Sequence, residues 1–228
     1  MKEAIFLDFD GVIVDSIHEC YKISYETFFG FYVPIINIED YRAQFIKNRY
    51  LVRPVYQYMI LHQVLIKLFN NEISHMEIKD SFYKIDRQTH DDLKKNFEDS
   101  FFNKRKYYRQ NKEQWLNMHY ITEFGKTLQN KVLSDYYIIT TKDKDSVKLL
   151  SKLYNINIKN IFGKEEYNLT QSKGKIITNF LNSSDYDSAI FVDDAVDHLR
   201  SVNDDRIKVY YADWAYDNNS NEFEVYEF

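Results

Sequence analysis

Three short apolar runs in this chain each end in a pair of polar residues. Ala4–Leu7 (AIFL) gives way to Asp8-Phe9-Asp10, Tyr136–Ile139 (YYII) to Thr140-Thr141, and Ala189–Val192 (AIFV) to Asp193-Asp194. In extended chain Asp8 and Asp10 point to one side and Phe9 to the other. Two carboxylates held side by side need a cation or a shared proton, and an all-oxygen site with open positions suits Mg²⁺. Gly11 follows and lets the chain turn tightly beside a ligand. Asp15-Ser16 then offers an N-cap to a helix beginning near Ile17. Asp-x-Asp by itself is commonly a surface turn, and Asp193-Asp194 by itself can cap a helix. Their shared placement after apolar runs is what points to chemistry. A calcium loop starting at Asp8 is disfavoured by Ile13, which stands where that loop needs glycine, and by the strand before Asp8.

The runs themselves read as strands buried on both faces. Ile207–Tyr211 is a further strand, and Asn160–Phe162, closed by Gly163, a weaker one. Helical patterns over 143–154, 173–181 and 194–202 alternate with these strands, which predicts a parallel sheet with helices on both faces. In such sheets ligands bind outside the carboxyl ends of the strands, so the three polar pairs meet if their strands are neighbours. The segment from Ser16 to about Lys131 is helical in pattern instead. Ile17, Cys20, Tyr21, Ser24, Tyr25 and Phe28 share one helical face with Gly30 as its stop. An apolar stripe runs over 52–69 with Pro54 in its first turn, 97–108 is dense in aromatic and basic residues, and 114–131 reads as one helix leading back to the sheet. The charge-rich stretch 79–106 reads as a solvated helical face. We therefore expect a doubly wound, Rossmann-like α/β core from residues 1–15 and 116–228, with an inserted helical domain at 16–115.

Composition narrows the function classes. The 228 residues carry a net charge of −5, which argues against a nucleic-acid partner. One cysteine, Cys20, excludes a disulfide framework or a cysteine-based zinc cluster, and its place on an apolar helix face makes it a small buried hydrophobe. The six histidines show no metal-ligand spacing. The first apolar run is too short for a signal-peptide core, and no run reaches the 18 or so residues of a membrane span. These features predict a cytoplasmic protein with neither membrane nor nucleic acid as partner. Oligomeric state is not encoded in any pattern here.

The run Asp8-Phe9-Asp10-Gly11-Val12-Ile13-Val14-Asp15-Ser16 resembles the first motif of the haloacid dehalogenase-like hydrolase superfamily, DxDGxxxDS. Thr140 after YYII resembles the second motif, Lys173 opening a helix the third, and Asp193-Asp194 after AIFV the acidic fourth. The helical insertion is similar to the cap of the subfamily I members. The resemblance implies that Asp8 is a nucleophile forming an aspartyl-phosphate and Asp10 a general acid and base. It implies that Thr140 and Lys173 hold the transferring phosphoryl group. A Mg²⁺ would be bound by Asp8, by Asp10 through its backbone carbonyl, and by Asp193 and Asp194. Lys175 is an alternative to Lys173, and Asp197 is a cap or supporting group. Gly11, Thr141, Arg49 and Arg53 are candidates for substrate binding; for the two arginines a surface role competes with gripping an anionic group.

The presence of Asp10 favours phosphate chemistry over dehalogenation, because only an alcohol leaving group needs a proton. The expected activity is Mg²⁺-dependent hydrolysis of a small phosphorylated metabolite such as a sugar phosphate, polyol phosphate or phosphoglycolate. A phosphomutase of the β-phosphoglucomutase type is a rival, disfavoured because its histidine twelve residues after the nucleophile is Cys20 here. A catalytically weak binding module is a second rival, disfavoured by the intact motifs.

Overall fold

The computed structural model describes residues 2–30, 37–216 and 222–228. The chain runs through β1 (Glu3–Leu7), β2 (Val14–Asp15), α1 (Ile17–Phe29), α2 (Ile38–Asn48), α3 (Gln57–Phe69), α4 (Ile78–Gln88), α5 (Asp91–Gln110) and α6 (Lys112–Leu116). It continues with β3 (Tyr120–Ile121), α7 (Glu123–Leu128), β4 (Val132–Ile139), α8 (Lys144–Leu153), β5 (Asn157–Phe162) and α9 (Lys164–Thr170). It ends with α10 (Lys173–Ser183), β6 (Ser188–Asp193), α11 (Val196–Arg200) and β7 (Ile207–Tyr211). Two compact units result: Met1–Ser16 with Tyr120–Phe228, and Ile17–His119.

In the first unit β5, β4, β1, β6 and β7 lie side by side in that order, and every pairing is parallel. The fold is therefore the expected α/β sheet. From β1 the chain builds outward to β4 and β5, then returns to lay β6 and β7 on the other side. The order reverses between β1 and β6, where Leu7 stands opposite Val192, and a reversal of this kind opens a crevice at the carboxyl ends of the strands. Both faces of β1 are covered: Ala4, Phe6 and Leu7 are fully buried. Phe6 packs on one side with Tyr137, Phe191, Ile176, Ile177 and Leu181; its ring stacks on Tyr137 at 5.1 Å and meets the edge of Phe180 at 5.2 Å. A fully buried side chain of this size contributes about 2–3 kcal/mol, so the middle of the sheet is a rigid platform for what its strand ends carry.

The segment 114–131 is not the single helix that its pattern predicts. It breaks into α6, β3 and α7, because Tyr120–Ile121 pairs antiparallel with Val14–Asp15 and so draws the chain out of helical geometry. Thr122 then caps α7, its hydroxyl accepting from Gly125 N at 2.9 Å while donating to Val12 O at 2.7 Å. The helix at 194–202 is shorter than its pattern, and β4 and β5 each begin several residues earlier than their apolar runs.

The C-terminal tail, for which the sequence gives no role, braces the loop between β1 and β2. Trp214 donates from its indole nitrogen to Val12 O at 3.1 Å and packs on Phe124 and Phe228. The Tyr216 hydroxyl accepts from Ser16 N and donates to Asp15 Oδ1, both at 2.8 Å. Gly11 is at φ 90°, and a Cβ there would lie 3.0 Å from the Tyr216 ring. Residues 217–221 of the tail lie outside the described ones.

The second unit is helical throughout its described residues, with two 3₁₀ turns between helices. Its α1 buries Ile17, Cys20, Ile23, Ser24 and Tyr25, close to the face read from the sequence, and Cys20 is buried as expected. Two polar assemblies lie inside it. Arg105 from α5 forms a two-pronged ion pair with Glu19 from α1, at 2.5 and 2.8 Å. The fully buried His62 ring is hydrogen-bonded through Nδ1 to the Tyr41 hydroxyl at 2.7 Å and through Nε2 to the Ser24 hydroxyl at 3.0 Å.

Candidate active site

The site is built at the reversal between β1 and β6. Asp8 extends β1 by one residue, its N–H donating to Val192 O at 2.9 Å, and Asp193 ends β6 in the next position. Asp194 follows, and carboxylate oxygens of Asp8, Asp193 and Asp194 lie within 4.8 Å of one another, all three residues buried. Lys173, first residue of α10, reaches this group from the helix start. Its ammonium donates to Asp8 Oδ1 at 2.8 Å and to Asp193 Oδ2 at 2.7 Å, and its side chain is 1% exposed. The placement follows from sequence: Ser172 caps α10 by accepting from Lys175 N, and Ile176, Ile177 and Leu181 bury the helix against the sheet. Lys175 is exposed, so the ammonium in the cluster is that of Lys173.

The second half of Asp193 is also anchored, with Oδ1 accepting from Ala195 N at 2.8 Å and Oδ2 facing His198 Nδ1 at 3.1 Å. Burial drives Asp193 toward protonation, but Lys173 and His198 outweigh it and hold the carboxyl well below its ordinary range. Lys173, which burial would discharge, is held well above its ordinary value by Asp193 and Asp8. Asp8 goes the other way. Burial raises it to about 6; Lys173 opposes the rise, Asp193 adds to it, and His198 opposes it. Three buried carboxylates thus gather beside one buried ammonium. Their close-set oxygens form an all-oxygen donor set that fits a hard divalent cation.

Asp10, the other half of the first carboxylate pair, is held apart from this ion network by different partners. Its carboxylate takes the ammonium of Lys142, at 2.9 Å to Oδ1 and 3.2 Å to Oδ2, and the hydroxyl of Ser16 donates to Oδ1. Thr140, at the end of β4 and buried, anchors its backbone by donating from N to Phe162 O at 2.9 Å. Its hydroxyl oxygen accepts from Lys142 N at 3.2 Å, which leaves the hydroxyl proton to be donated elsewhere. Thr141 is exposed beside it, and Asp197 is exposed and paired with Arg200 at 3.6 Å.

Arg49 and Arg53 belong to the second unit. There Arg49 donates to Val52 O at 2.8 Å and covers the Tyr58 ring, and Arg53 donates to Tyr50 O at 2.6 Å. Three residues of the site escaped sequence reasoning: Lys142, His198 and the Ser16 hydroxyl, which serves Asp10. A lysine two residues past a strand-end threonine carries no signal of its own. His198 likewise carries none until the fold sets it beside Asp193.

No family model matches the chain, and no curated protein matches it in sequence. Solved structures do. A protein described as a predicted phosphoglycolate phosphatase from Haemophilus somnus aligns over 95% of this chain and 88% of its own, with a TM-score of 0.58 at 14% identity. This chain has the haloacid dehalogenase-like fold. A haloacid dehalogenase-like family hydrolase from Streptococcus pneumoniae aligns over 95% of this chain and 86% of its own, with a TM-score of 0.55 at 17% identity. A hydrolase of the same kind from Bacillus subtilis, solved with magnesium bound, aligns over 93% and 89%, with a TM-score of 0.53 at 11% identity. At these identities the likeness is one of fold.

Proposed function

We propose that this chain is a Mg²⁺-dependent phosphomonoester hydrolase acting on a small phosphorylated metabolite. The observation that carries the reading is the Lys173 ammonium shared between Asp8 and Asp193, with Asp194 beside them, at the crevice between β1 and β6. The structural likeness to proteins described as phosphoglycolate phosphatases supports the substrate class. The first unit would be the catalytic core and the second the substrate-selecting cap, with Arg49, Arg53, Gly11 and Thr141 as candidate substrate contacts. Among the described residues no helix is long and apolar enough to cross a membrane.

In this reading a carboxylate oxygen of Asp8 attacks phosphorus, the P–O bond to the leaving group breaks, and Asp10 donates a proton to the departing alkoxide. Asp10, now a carboxylate, takes a proton from water as that water attacks phosphorus. The bond to Asp8 then breaks and inorganic phosphate leaves. Lys173 and the Thr140 hydroxyl stabilise the phosphoryl oxygens in both halves, since phosphoryl transfer asks chiefly for positioning and charge compensation. Asp8, Asp193 and Asp194, with the Asp10 backbone carbonyl, would hold Mg²⁺, whose charge when bound offsets the repulsion between a carboxylate and a phosphate dianion.

The test is phosphate release from a panel of small phosphomonoesters with and without Mg²⁺, comparing wild type with Asp8→Asn. Mg²⁺-dependent release from a few esters, reduced at least about 10³-fold in the variant, is expected. Undiminished release by Asp8→Asn would overturn the reading.

A further inference from the structure

Lys142 has no role in any of the motifs above, yet it is the more deeply buried partner of the proposed acid and base. Its side chain is 1% exposed against 23% for Asp10. The geometry points to Lys142 as the positioning residue for Asp10, an assignment that rests on the hydrolase reading of the site. Three observations support it. The ammonium spans both carboxylate oxygens, at 2.9 and 3.2 Å, and also reaches the Ser16 hydroxyl at 3.3 Å, which itself donates to Asp10 Oδ1. A carboxylate caught between two donors that also contact each other has one orientation, not a set of rotamers.

The ammonium is itself fixed by its backbone. Lys142 N donates to the Thr140 hydroxyl oxygen at 3.2 Å and Lys142 O accepts from Lys164 N at 3.0 Å. The same residue therefore sets both the Thr140 hydroxyl and the Asp10 carboxylate. The neighbouring Gly163 leaves room for this loop: a Cβ there would lie 3.1 Å from Lys142 O and 2.7 Å from the Lys144 side chain. Oδ1 receives two donors and Oδ2 one, so both oxygens of the Asp10 carboxyl are held in place. In the first half-reaction the bond from Asp8 to phosphorus forms, the bond from phosphorus to the leaving oxygen breaks, and a proton passes from the Asp10 carboxyl to that oxygen. Lys142 acts through Asp10 in this step and forms or breaks no bond of its own.

A positioning role for Lys142 has a signature that a structural or phosphate-binding role lacks. A poor leaving group needs the proton and a good one does not. The probes are phenyl phosphate and p-nitrophenyl phosphate, and the readout is kcat/KM, which reports steps through the first P–O cleavage. For Lys142→Met we expect kcat/KM to fall about 100-fold on phenyl phosphate, the worth of a well-placed acid, and less than about fivefold on p-nitrophenyl phosphate. Lys142→Arg, which keeps the charge and most of the reach, should recover at least a tenth of the phenyl phosphate activity and serves as the measurement if the methionine variant does not fold. Equal losses on the two esters, or no loss on either, would overturn the assignment while leaving the hydrolase reading in place. That reading is checked in the same assay by Asp8→Asn, and wild type that hydrolyses neither ester would sink both.

Discussion

At the scale of single residues, the buried ammonium of Lys173 decides the character of the site. It holds Asp193 ionised and leaves Asp8, raised to about 6 by burial, poised between its two forms. Replacing one partner of a buried ion network leaves the others uncompensated, at a cost of about 3–5 kcal/mol. Lys173→Met should therefore lose stability by about that amount in urea unfolding at pH 8. The loss should shrink at pH 5, because with the ammonium gone Asp8 and Asp193 can each relieve their repulsion by taking up a proton. A loss below 1 kcal/mol at pH 8 would mean that the carboxylates do not depend on this lysine. Asp8, Thr140 and the Asp193-Asp194 pair were legible as chemistry because each directly follows an apolar run. Lys142 and His198 were not, since a lone lysine or histidine says nothing until the fold supplies its partner.

At the scale of elements, the loop from Phe9 to Ser16 is held in three ways at once: by β3 pairing, by the α7 cap and by the tail. Each of these joins residues about a hundred or two hundred positions apart, from Val12 to Thr122 and from Ser16 to Tyr216. That is why 114–131 misleads as a helix, and why the tail had no reading. Local pattern carries no information about a strand whose partner is so remote. Gly11 is the weak point of the arrangement, with φ 90° and the Tyr216 ring against its open side. Gly11→Ala should lower stability by about 1–3 kcal/mol, from the left-handed backbone and the displaced ring together. A thermal melt within 1 °C of wild type would show that the loop accommodates a side chain without shifting Tyr216.

At the scale of the whole molecule, pH dependence has an identifiable contributor in the helical unit. His62 is fully buried in the helical unit between the Tyr41 and Ser24 hydroxyls, and burial lowers it from 6.5 to about 3. The unfolded chain therefore binds a proton on this residue between those two values while the folded chain does not. Stability rises with pH across that window, by up to about 1.4 kcal/mol per pH unit from this residue, and is lost as pH falls from 6.5 toward 3. Comparing the pH dependence of urea midpoints for wild type and His62→Gln should show a shallower acid-side slope in the variant. Parallel slopes would mean that His62 is protonated in the folded state.

The sequence by itself determined the alternation of strand and helix, the helical insertion and the polar pairs at three strand ends, because these follow from apolar periodicity along a few adjacent residues. It also carried the motif resemblance to haloacid dehalogenase-like hydrolases, and the structure has their fold. Tertiary structure alone decided the strand order, which puts the sheet reversal between Asp8 and Asp193. It also decided that Lys173 and not Lys175 reaches the carboxylates, and that Lys142 pairs with Asp10. The division has one physical cause. Periodicity records which side of an element is dry, whereas ion pairs such as Asp8–Lys173 and Asp10–Lys142 join residues 165 and 132 positions apart. Such pairs come into being only when the sheet has closed around them and excluded water.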